Sequence, residues 1–197
     1  MGARARSGTG MSGADTPAAH AVLGLLGVFD GGEGAGHGYD LARHFAPGQP
    51  LAEVLRLEPG MLYHYLKKLA GAGWVTATVE PQGTRPPRQV YRITDGGRTE
   101  LRRWLSEPVA RTREVRLEFL LKLFFARRLD PTLEARLVAE QRAMLARLET
   151  SLAAQLTGVA AVDHDQAPDD AAFRRLVLEL RLAQTRAALA WLNKAEG

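Results

Sequence analysis

Residues 58–94 have the sequence EPGMLYHYLKKLAGAGWVTATVEPQGTRPPRQVYRIT, and the spacing of their apolar residues changes once along the segment. The first part has leucines three and four residues apart, which predicts a short helix with one buried face over about residues 60–70. Apolar and polar residues then alternate over 75–80, which predicts a strand, and a return strand is predicted over 89–94. Residues 81–87 between the strands are predicted to be a flexible tip. Short helices followed by one hairpin are typical of a winged helix.

Three further short helices are predicted ahead of this segment. The first begins at Thr16-Pro17, a hydroxyl cap followed by proline at the first helical position. The second covers about residues 39–45 and the third about residues 51–55, each with apolar residues facing inward. With the hairpin and a helix after it, these elements predict a winged helix-turn-helix domain over residues 16–106. Residues 1–15, rich in glycine, are predicted to be a disordered tail.

The C-terminal part, residues 107–197, is predicted to be helical and to form a dimerisation domain. Large apolar residues fill 115–128, a long helix is predicted over 132–156 and a final helix over 169–194. A polar loop is predicted over 157–168. The predicted fold class is therefore mostly α: a winged helix-turn-helix domain followed by an antiparallel helical dimerisation domain.

The predicted final helix carries two apolar stripes. One stripe consists of Phe173, Leu176, Val177, Leu180, Ala187 and Trp191, and the other of Leu178, Leu182, Leu189 and Leu192. A surface helix of a monomer needs only one apolar stripe, so the second stripe predicts a second partner. With long helices of this kind, a second copy of the chain is the natural partner. The alternative is that both stripes are buried within one subunit.

The composition excludes several classes of protein. The 197 residues include no cysteine, which excludes disulfides and zinc sites with cysteine ligands and fits a reducing cytoplasm. No apolar run approaches the roughly 20 residues that a membrane-spanning helix needs. The histidines and acidic residues form no recognisable catalytic or metal-binding arrangement, so we predict neither an enzyme nor a cofactor.

Positive charge is concentrated on the predicted helix and hairpin. The whole chain has a formal net charge of +4. Residues 60–103 contain eight basic and three acidic residues, a net charge of +5, while the residues from Glu107 onward contain 14 basic and 13 acidic residues. A basic helix followed by a basic hairpin indicates binding to double-stranded DNA, because phosphates attract cations and the major groove admits one helix.

One face of the predicted helix would carry DNA contacts. Four residues share this face, at the spacing i, i+1, i+4 and i+5: Tyr63, His64, Lys67 and Lys68. The lysines suit contacts to phosphate, and the histidine can form a hydrogen bond with a base edge. Arg85 and Arg88, near the hairpin tip, are predicted to enter the adjacent minor groove, whose negative potential favours arginine.

Four short motifs follow one another in a characteristic order: HGYDL at 37–41, EPGMLY at 58–63, RQVYRIT at 88–94 and RLEFLLKL at 116–123. With these motifs the chain resembles the PadR family of bacterial transcription regulators. The first three motifs cover the winged helix, and the fourth resembles the opening of the family's C-terminal helical domain.

The resemblance implies a particular mode of action. It implies a dimer formed by the C-terminal helices, two winged helices presented to an inverted repeat, and usually repression. It also implies that a small aromatic or hydrophobic effector often releases the DNA, and it places Tyr39 and Tyr63 near the DNA backbone. No effector-binding residue is predicted. The predicted DNA-contacting residues are Tyr39, Gly60, Met61, Tyr63, His64, Lys67, Lys68, Arg85 and Arg88.

The chain departs from the family pattern at Glu58 and Met61. A serine or similar residue is usual at the first position; glutamate caps a helix less well, and its charge faces phosphate unfavourably. A small hydroxyl residue is common at the second; methionine cannot donate a hydrogen bond, although it can touch a thymine methyl group. These departures keep open a second hypothesis, a ligand-binding or protein-interaction dimer whose winged helix no longer recognises DNA. A third hypothesis is nonspecific architectural binding to DNA.

Overall fold

The computed structural model describes Ala14 and residues 16–30, 36–82, 85–161 and 168–194. The predicted disordered tail, residues 1–15, lies outside the described residues apart from Ala14. The chain divides into two compact units, Met1–Trp104 and Leu105–Gly197.

The first unit combines helices with a small antiparallel sheet. Its elements are α1 (Pro17–Asp30), β1 (Gly36–His37), α2 (Gly38–Arg43), α3 (Pro59–Gly71), β2 (Val75–Gln82), β3 (Arg85–Ile93) and the start of α4 (Asp95–Ser106). The strand order is β1-β3-β2, and β2 pairs with β3 from Val75 opposite Ile93 to Glu80 opposite Arg88. The short helices followed by this hairpin confirm the predicted winged helix.

The core of the first unit lies where α1 packs against α3 and β3. The leucines of α3 predicted to be buried, Leu62, Leu66 and Leu69, are fully buried, as is Leu23 of α1. Each such leucine contributes about 1.5–3 kcal/mol by leaving water. The predicted start of α1 is confirmed, because the Ala19 N–H donates to the Thr16 hydroxyl at 3.2 Å. The inward leucines thus fix which face of α3 points outward.

A buried histidine joins α1 to α4 within the first unit. His20 is 1% exposed, and its ring stacks on Trp104 with 4.8 Å between the centroids. Its Nδ1 lies 3.1 Å from the carbonyl oxygen of Thr16, and its Nε2 lies 2.9 Å from the carboxylate of Glu100. Both ring nitrogens of His20 thus face oxygen atoms, and these contacts tie α1 to α4.

The predicted third helix over residues 51–55 is wrong. Residues 51–54 form successive turns. The Leu55 N–H donates a hydrogen bond to the Leu51 carbonyl at 2.9 Å, which closes a single helix-like turn. Leu51 and Ala52 are nevertheless buried. The apolar spacing therefore indicated which residues are buried, but not that they form a helix. A single helical turn is unfavourable because it fixes several dihedral angles and gains few hydrogen bonds.

The hairpin is longer, and its tip shorter, than predicted. β2 extends to Gln82 and β3 begins at Arg85, so the predicted tip over 81–87 is wrong in its extent. Residues 83–84 lie outside the described residues. Strand β1 was not predicted, because two residues are too few to show a period, although it pairs with Tyr91 and Val90 of β3.

The second unit is helical, as predicted. Its elements after the end of α4 are α5 (Thr112–Glu114), a π-helical turn that we call π1 (Val115–Phe119), α6 (Leu120–Leu129), α7 (Pro131–Ala161) and α8 (Pro168–Lys194). Leu152 of α7 clusters with Leu178 and Leu182 of α8, whereas Leu145 clusters with Leu192. The two long helices therefore run antiparallel.

The predicted polar loop over 157–168 is wrong in its first part, because α7 continues to Ala161. The Thr157 hydroxyl donates to the Ala153 carbonyl at 3.1 Å, so this polar side chain is satisfied inside the helix. Residues 162–167 lie outside the described residues.

Two buried polar side chains hold residues 107–109 against α6 and α7. The Gln141 amide donates to the Val109 carbonyl at 3.0 Å and accepts from the Val109 N–H at 2.7 Å. The Lys122 ammonium donates to the Glu107 carbonyl at 2.7 Å and lies 3.1 Å from the Glu118 carboxylate. These bonds offset the cost of removing the polar groups from water.

Candidate nucleic-acid interface

The outward face of α3 is polar and positively charged. Five of the residues predicted to contact DNA are exposed on it: Met61, Tyr63, His64, Lys67 and Lys68. Within the part of the chain that the structure describes, neither lysine has an ion-pair partner. Their charge is therefore available to an external anion.

The start of α3 is open to solvent. Glu58 occupies the position before the first helical residue and forms no side-chain bond to the helix. Gly60, also predicted to contact DNA, is exposed and has no atom within 4 Å of where a Cβ would stand. A backbone or base edge could thus approach this end of the helix closely, although the carboxylate of Glu58 opposes a phosphate there.

A groove of about 700 Å³ lies between the start of α2, α3 and the hairpin. It brings together three of the predicted residues, Tyr39, Tyr63 and Arg88, from three separate elements. Tyr39 is 74% exposed. The groove does not include His64, Lys67 or Lys68, which lie further along α3. The predicted residues therefore form two adjoining sets, a groove and a helix face.

Tyr63 is positioned by close packing on Gly38. A Cβ at residue 38 would stand 2.6 Å from both Oη and Cε1 of Tyr63, so only glycine leaves room for this ring. Burial raises the pKa of the Tyr91 hydroxyl, and the nearby Tyr63 raises it further. The Tyr91 hydroxyl donates to the Gln89 side chain at 2.7 Å. The close approach of Gly38 places the Tyr63 ring at the wall of the groove.

Of the two hairpin arginines predicted to contact DNA, Arg88 has a side chain that the structure describes. Arg88 pairs with Glu80 across the two strands at 3.2 Å, and both side chains are half-exposed. An exposed pair of this kind contributes only about 0–1 kcal/mol, so a phosphate could replace the carboxylate. The side chain of Arg85 lies outside the described residues.

Two arginines of α4 are paired with carboxylates of the chain. Arg98 pairs with Asp30 and Asp95, and Arg103 pairs with Glu100 at 2.6 Å. Asp40 is the acidic residue lining the groove. Lys67 and Lys68 on α3 are thus unpaired within the described residues, whereas Arg98 and Arg103 are paired.

Sequence reasoning missed part of this surface. The groove also includes Val79, Pro87 and Gln89, which alternate with or adjoin the predicted arginines. Strand alternation could have placed Arg88 and its neighbours, but not opposite Tyr39. The close approach of Gly38 to Tyr63 has no local signal, since 25 residues separate them.

The second unit contains an exposed apolar face. Leu178, Leu182 and Leu192 of one predicted stripe are buried against α7, whereas the other stripe is exposed: Phe173, Leu176, Val177, Leu180, Ala187 and Trp191. The alternative that both stripes are buried within one subunit is therefore wrong. Phe173 is 68% and Leu180 is 60% exposed. Large contiguous apolar patches of this kind mark interaction surfaces.

Two family models match the chain, one for each unit. The model described as "Transcriptional regulator PadR-like family" matches residues 25–103, and the model described as "Virulence activator alpha C-term" matches residues 115–197. Residues 25–103 therefore form a domain similar to the PadR-like family of transcriptional regulators. The resemblance to the PadR family is thereby confirmed for the three motifs at 37–41, 58–63 and 88–94, which lie within residues 25–103.

Two curated relatives match part of this chain. It is 34% identical over 108 residues to the negative transcriptional regulator PadR of Bacillus subtilis, covering 54% of each chain. It is 38% identical over 81 residues to a probable transcriptional regulator of Mycobacterium tuberculosis, covering 41% of this chain and 42% of the relative. The chain spans about half the length of the curated relatives it matches.

A solved structure of the B. subtilis protein is also similar. The crystal structure of B. subtilis PadR in complex with operator DNA is 26% identical, with 90% of this chain and 95% of that chain covered at a TM-score of 0.43. None of the described helices of the present chain is both long and apolar enough to cross a membrane.

Proposed function

We propose that the chain is a DNA-binding transcription regulator that inserts α3 into the major groove of an inverted-repeat operator. The observation that carries this proposal is the orientation of α3. Its leucines are buried, so Tyr63, His64, Lys67 and Lys68 all point outward with both lysines unpaired. A major groove about 12 Å wide admits such a helix, and the two ammonium groups suit the flanking phosphates.

The groove beside α3 would follow the DNA backbone. Tyr39 and Tyr63 offer hydroxyl donors for phosphate oxygens, and Arg88 can exchange its exposed carboxylate partner for a phosphate. Arg85 and Arg88 remain our candidates for the minor groove next to the hairpin. The complete set proposed to contact DNA is the one predicted from the sequence.

We propose that the regulator is a homodimer held by α8. Residues 173, 177, 180, 184, 187 and 191 follow one another at spacings of four and three, the pattern of a helix–helix seam, and most are apolar and exposed. A second copy of α8 covers this seam with the same seam. Two-fold symmetry then presents two winged helices to two half-sites about 10 bp, or a multiple, apart.

Repression is the mode of regulation that we propose. The similarity to a negative transcriptional regulator over 108 residues supports it. We propose that a small hydrophobic or aromatic effector releases the DNA and that the protein acts in the cytoplasm. The proposal includes no enzymatic role and no cofactor. A repressor of this kind lowers transcription by occupying its operator.

Selection of bound DNA from a random duplex library tests the proposal. We expect a palindromic sequence to be enriched, and we expect a mobility shift with this site that a scrambled duplex of equal length does not give. A typical specificity ratio is about 10³ or more at physiological salt. Equal binding to both duplexes would favour architectural binding and contradict a sequence-specific regulator.

A second function is favoured by two carboxylates at the same surface. Glu58 caps α3 without bonding to it, and Asp40 lines the groove, so both oppose an approaching phosphate. These residues support a ligand-binding or protein-interaction dimer that does not recognise DNA. No mobility shift at low salt with any selected duplex would favour this second function over the first.

A further inference from the structure

The chain leaves one carboxylate at the start of α3 without a partner. Glu58 occupies the position before the first helical residue, where its backbone is extended and its side chain is exposed. This side chain forms no hydrogen bond to the helix. Within the part of the chain that the structure describes, it has no ion-pair partner either. The Glu58 carboxylate is therefore available to a hydrogen-bond donor outside the chain.

The residues that follow Glu58 in the first turn have no strong hydrogen-bonding side chain. Pro59, Gly60 and Met61 are exposed, whereas Leu62 is buried. Proline, glycine and leucine have no polar side-chain atom, and the thioether of methionine is only a weak acceptor. A strong side-chain hydrogen bond between this turn and a base must therefore involve Glu58.

The start of α3 is also the end of the helix that can come closest to the bases. Gly60 has no atom within 4 Å of where a Cβ would stand, so no side chain blocks the approach there. The Cα–Cβ bonds of a helix tilt toward its N-terminus, so side chains of the first turn extend past the helix end. Recognition helices of helix-turn-helix proteins contact base edges with their N-terminal residues. Insertion of α3 into the major groove would therefore bring the Glu58 carboxylate to the base edges.

Hydrogen bonding and charge together select the base that suits this carboxylate. An ionised carboxylate only accepts hydrogen bonds. In the major groove guanine presents the acceptors O6 and N7, and thymine presents the acceptor O4, so both repel it. Adenine presents its N6 donor beside the N7 acceptor, whereas cytosine presents only the N4 amino donor. Cytosine is therefore the base that fits Glu58.

We propose that Glu58 determines the specificity of the regulator by accepting a hydrogen bond from the N4 amino group of a cytosine in each half-site. This inference rests on the proposed function, and it names one base pair that the operator must contain. Lys67 and Lys68 attract any duplex through its phosphates, whereas Glu58 discriminates between sequences. Its repulsion from the acceptor atoms of other bases adds to the discrimination. A carboxylate that opposes phosphate thus becomes favourable only where a cytosine meets it.

Fluorescence anisotropy of the full chain with a set of substituted duplexes tests this specificity. The parent duplex is the operator selected by the wild type, and each base pair is changed in turn to the other three, symmetrically in both half-sites. We expect a position at which cytosine binds about tenfold more tightly than any other base. The absence of any position that prefers cytosine would overturn the proposal.

Two variants assign the preference for cytosine to Glu58. Glu58→Ala should lose this preference and keep the preferences at other positions. Glu58→Gln should prefer adenine at the same position, because an amide pairs with both N6 and N7 of adenine. The matched control is Glu53→Gln, which removes the same charge from an exposed residue ahead of α3 and should still prefer cytosine. A base profile of Glu58→Ala identical to that of the wild type would show that another residue recognises the cytosine.

A purely electrostatic effect of Glu58 would give a different result. If the carboxylate only repelled phosphate, both Glu58 variants would bind every duplex more tightly by the same factor, with an unchanged base profile, and the proposal would be wrong. Thermal unfolding of the variants should match the wild type, since the exposed side chain forms no bond to the helix. A changed base profile would then reflect recognition rather than folding.

Failure of this inference is distinguishable from failure of the proposed function. If the wild type binds no selected duplex at low salt, the proposed function is wrong and this inference is wrong with it. If the wild type binds a palindromic operator and its base profile does not depend on Glu58, only this inference is wrong.

Discussion

Replacement of Gly38 by alanine should weaken DNA binding by displacing Tyr63. The added Cβ would stand 2.6 Å from the Tyr63 ring and hydroxyl, whereas ordinary contact begins at 3.4 Å, so the ring must move by about 1 Å. The backbone of Gly38 is not in the left-handed region, so alanine itself is not strained there. The change therefore acts through Tyr63.

The effects on folding and on binding should differ. Alanine favours the helix by up to about 1 kcal/mol over glycine, which offsets part of an overpacking cost of about 1–3 kcal/mol. Because a flexible side chain can move away, we expect the free energy of unfolding to change by no more than about 1 kcal/mol. Loss of one hydrogen bond to phosphate costs about 1 kcal/mol of binding, roughly a fivefold weaker affinity.

A double-mutant cycle measured by fluorescence anisotropy with the selected operator checks this reasoning. Gly38→Ala should weaken binding in the wild-type background but have no further effect on Tyr63→Ala. The matched control is Gly71→Ala, where no atom lies within 4 Å of the new Cβ, and it should bind normally. Equal affinities for the two glycine variants, or the same loss in the Tyr63→Ala background, would refute the account.

Three further predictions concern assembly and stability. Leu180→Asp should turn the dimer into a folded monomer in sedimentation analysis, because this exposed residue lies at the centre of the α8 seam; a persistent dimer would contradict the seam. Gln141→Leu should lower the free energy of unfolding by about 1–3 kcal/mol in urea titrations, since both backbone groups of Val109 lose their buried partner; an unchanged value would show that water replaces the amide. Burial raises the pKa of the Glu100 carboxyl, but hydrogen bonds from a neighbouring arginine and histidine outweigh burial and hold it below its ordinary value of 4.5. The ionised carboxyl therefore stabilises the fold above its ordinary pKa, and this stabilisation is lost as the pH falls through the lower folded-state pKa. In the variant Glu100→Gln, the free energy of unfolding should fall less steeply on the acid side of pH 4.5. An equally steep fall in this variant would contradict the prediction.

Local patterns in the sequence predicted the elements that depend on local physics. The leucine spacing of α3 was sufficient because a helix that packs on a core must place its apolar residues on one side. The cap at Thr16 was predictable because it is also a local interaction, between atoms of residues three positions apart. The two apolar stripes of α8 predicted two packing partners. In the structure, the stripe that contains Leu182 packs against α7.

Features that depend on tertiary packing were not predictable from the sequence. The segment 51–55 has the apolar spacing of a helix but folds into turns, because burial alone does not determine backbone conformation. The groove joins Tyr39 to Arg88, which are 49 residues apart and meet only through the pairing of β1 with β3. Pairing of Arg88 with Glu80 required the register of the hairpin, and a shift of one residue would have moved the arginine to the other face.

The dependence of DNA affinity on salt tests the central claim most directly. Each phosphate contact made by a cation contributes about 0.9 to the slope of log affinity against log salt. Lys67→Ala/Lys68→Ala should therefore bind the selected operator more weakly and lower the slope by about 1.8, whereas Arg136→Ala/Arg175→Ala, with the same change in net charge, should leave both unchanged. An unaltered affinity and slope in the lysine variant would show that the outward face of α3 does not contact DNA.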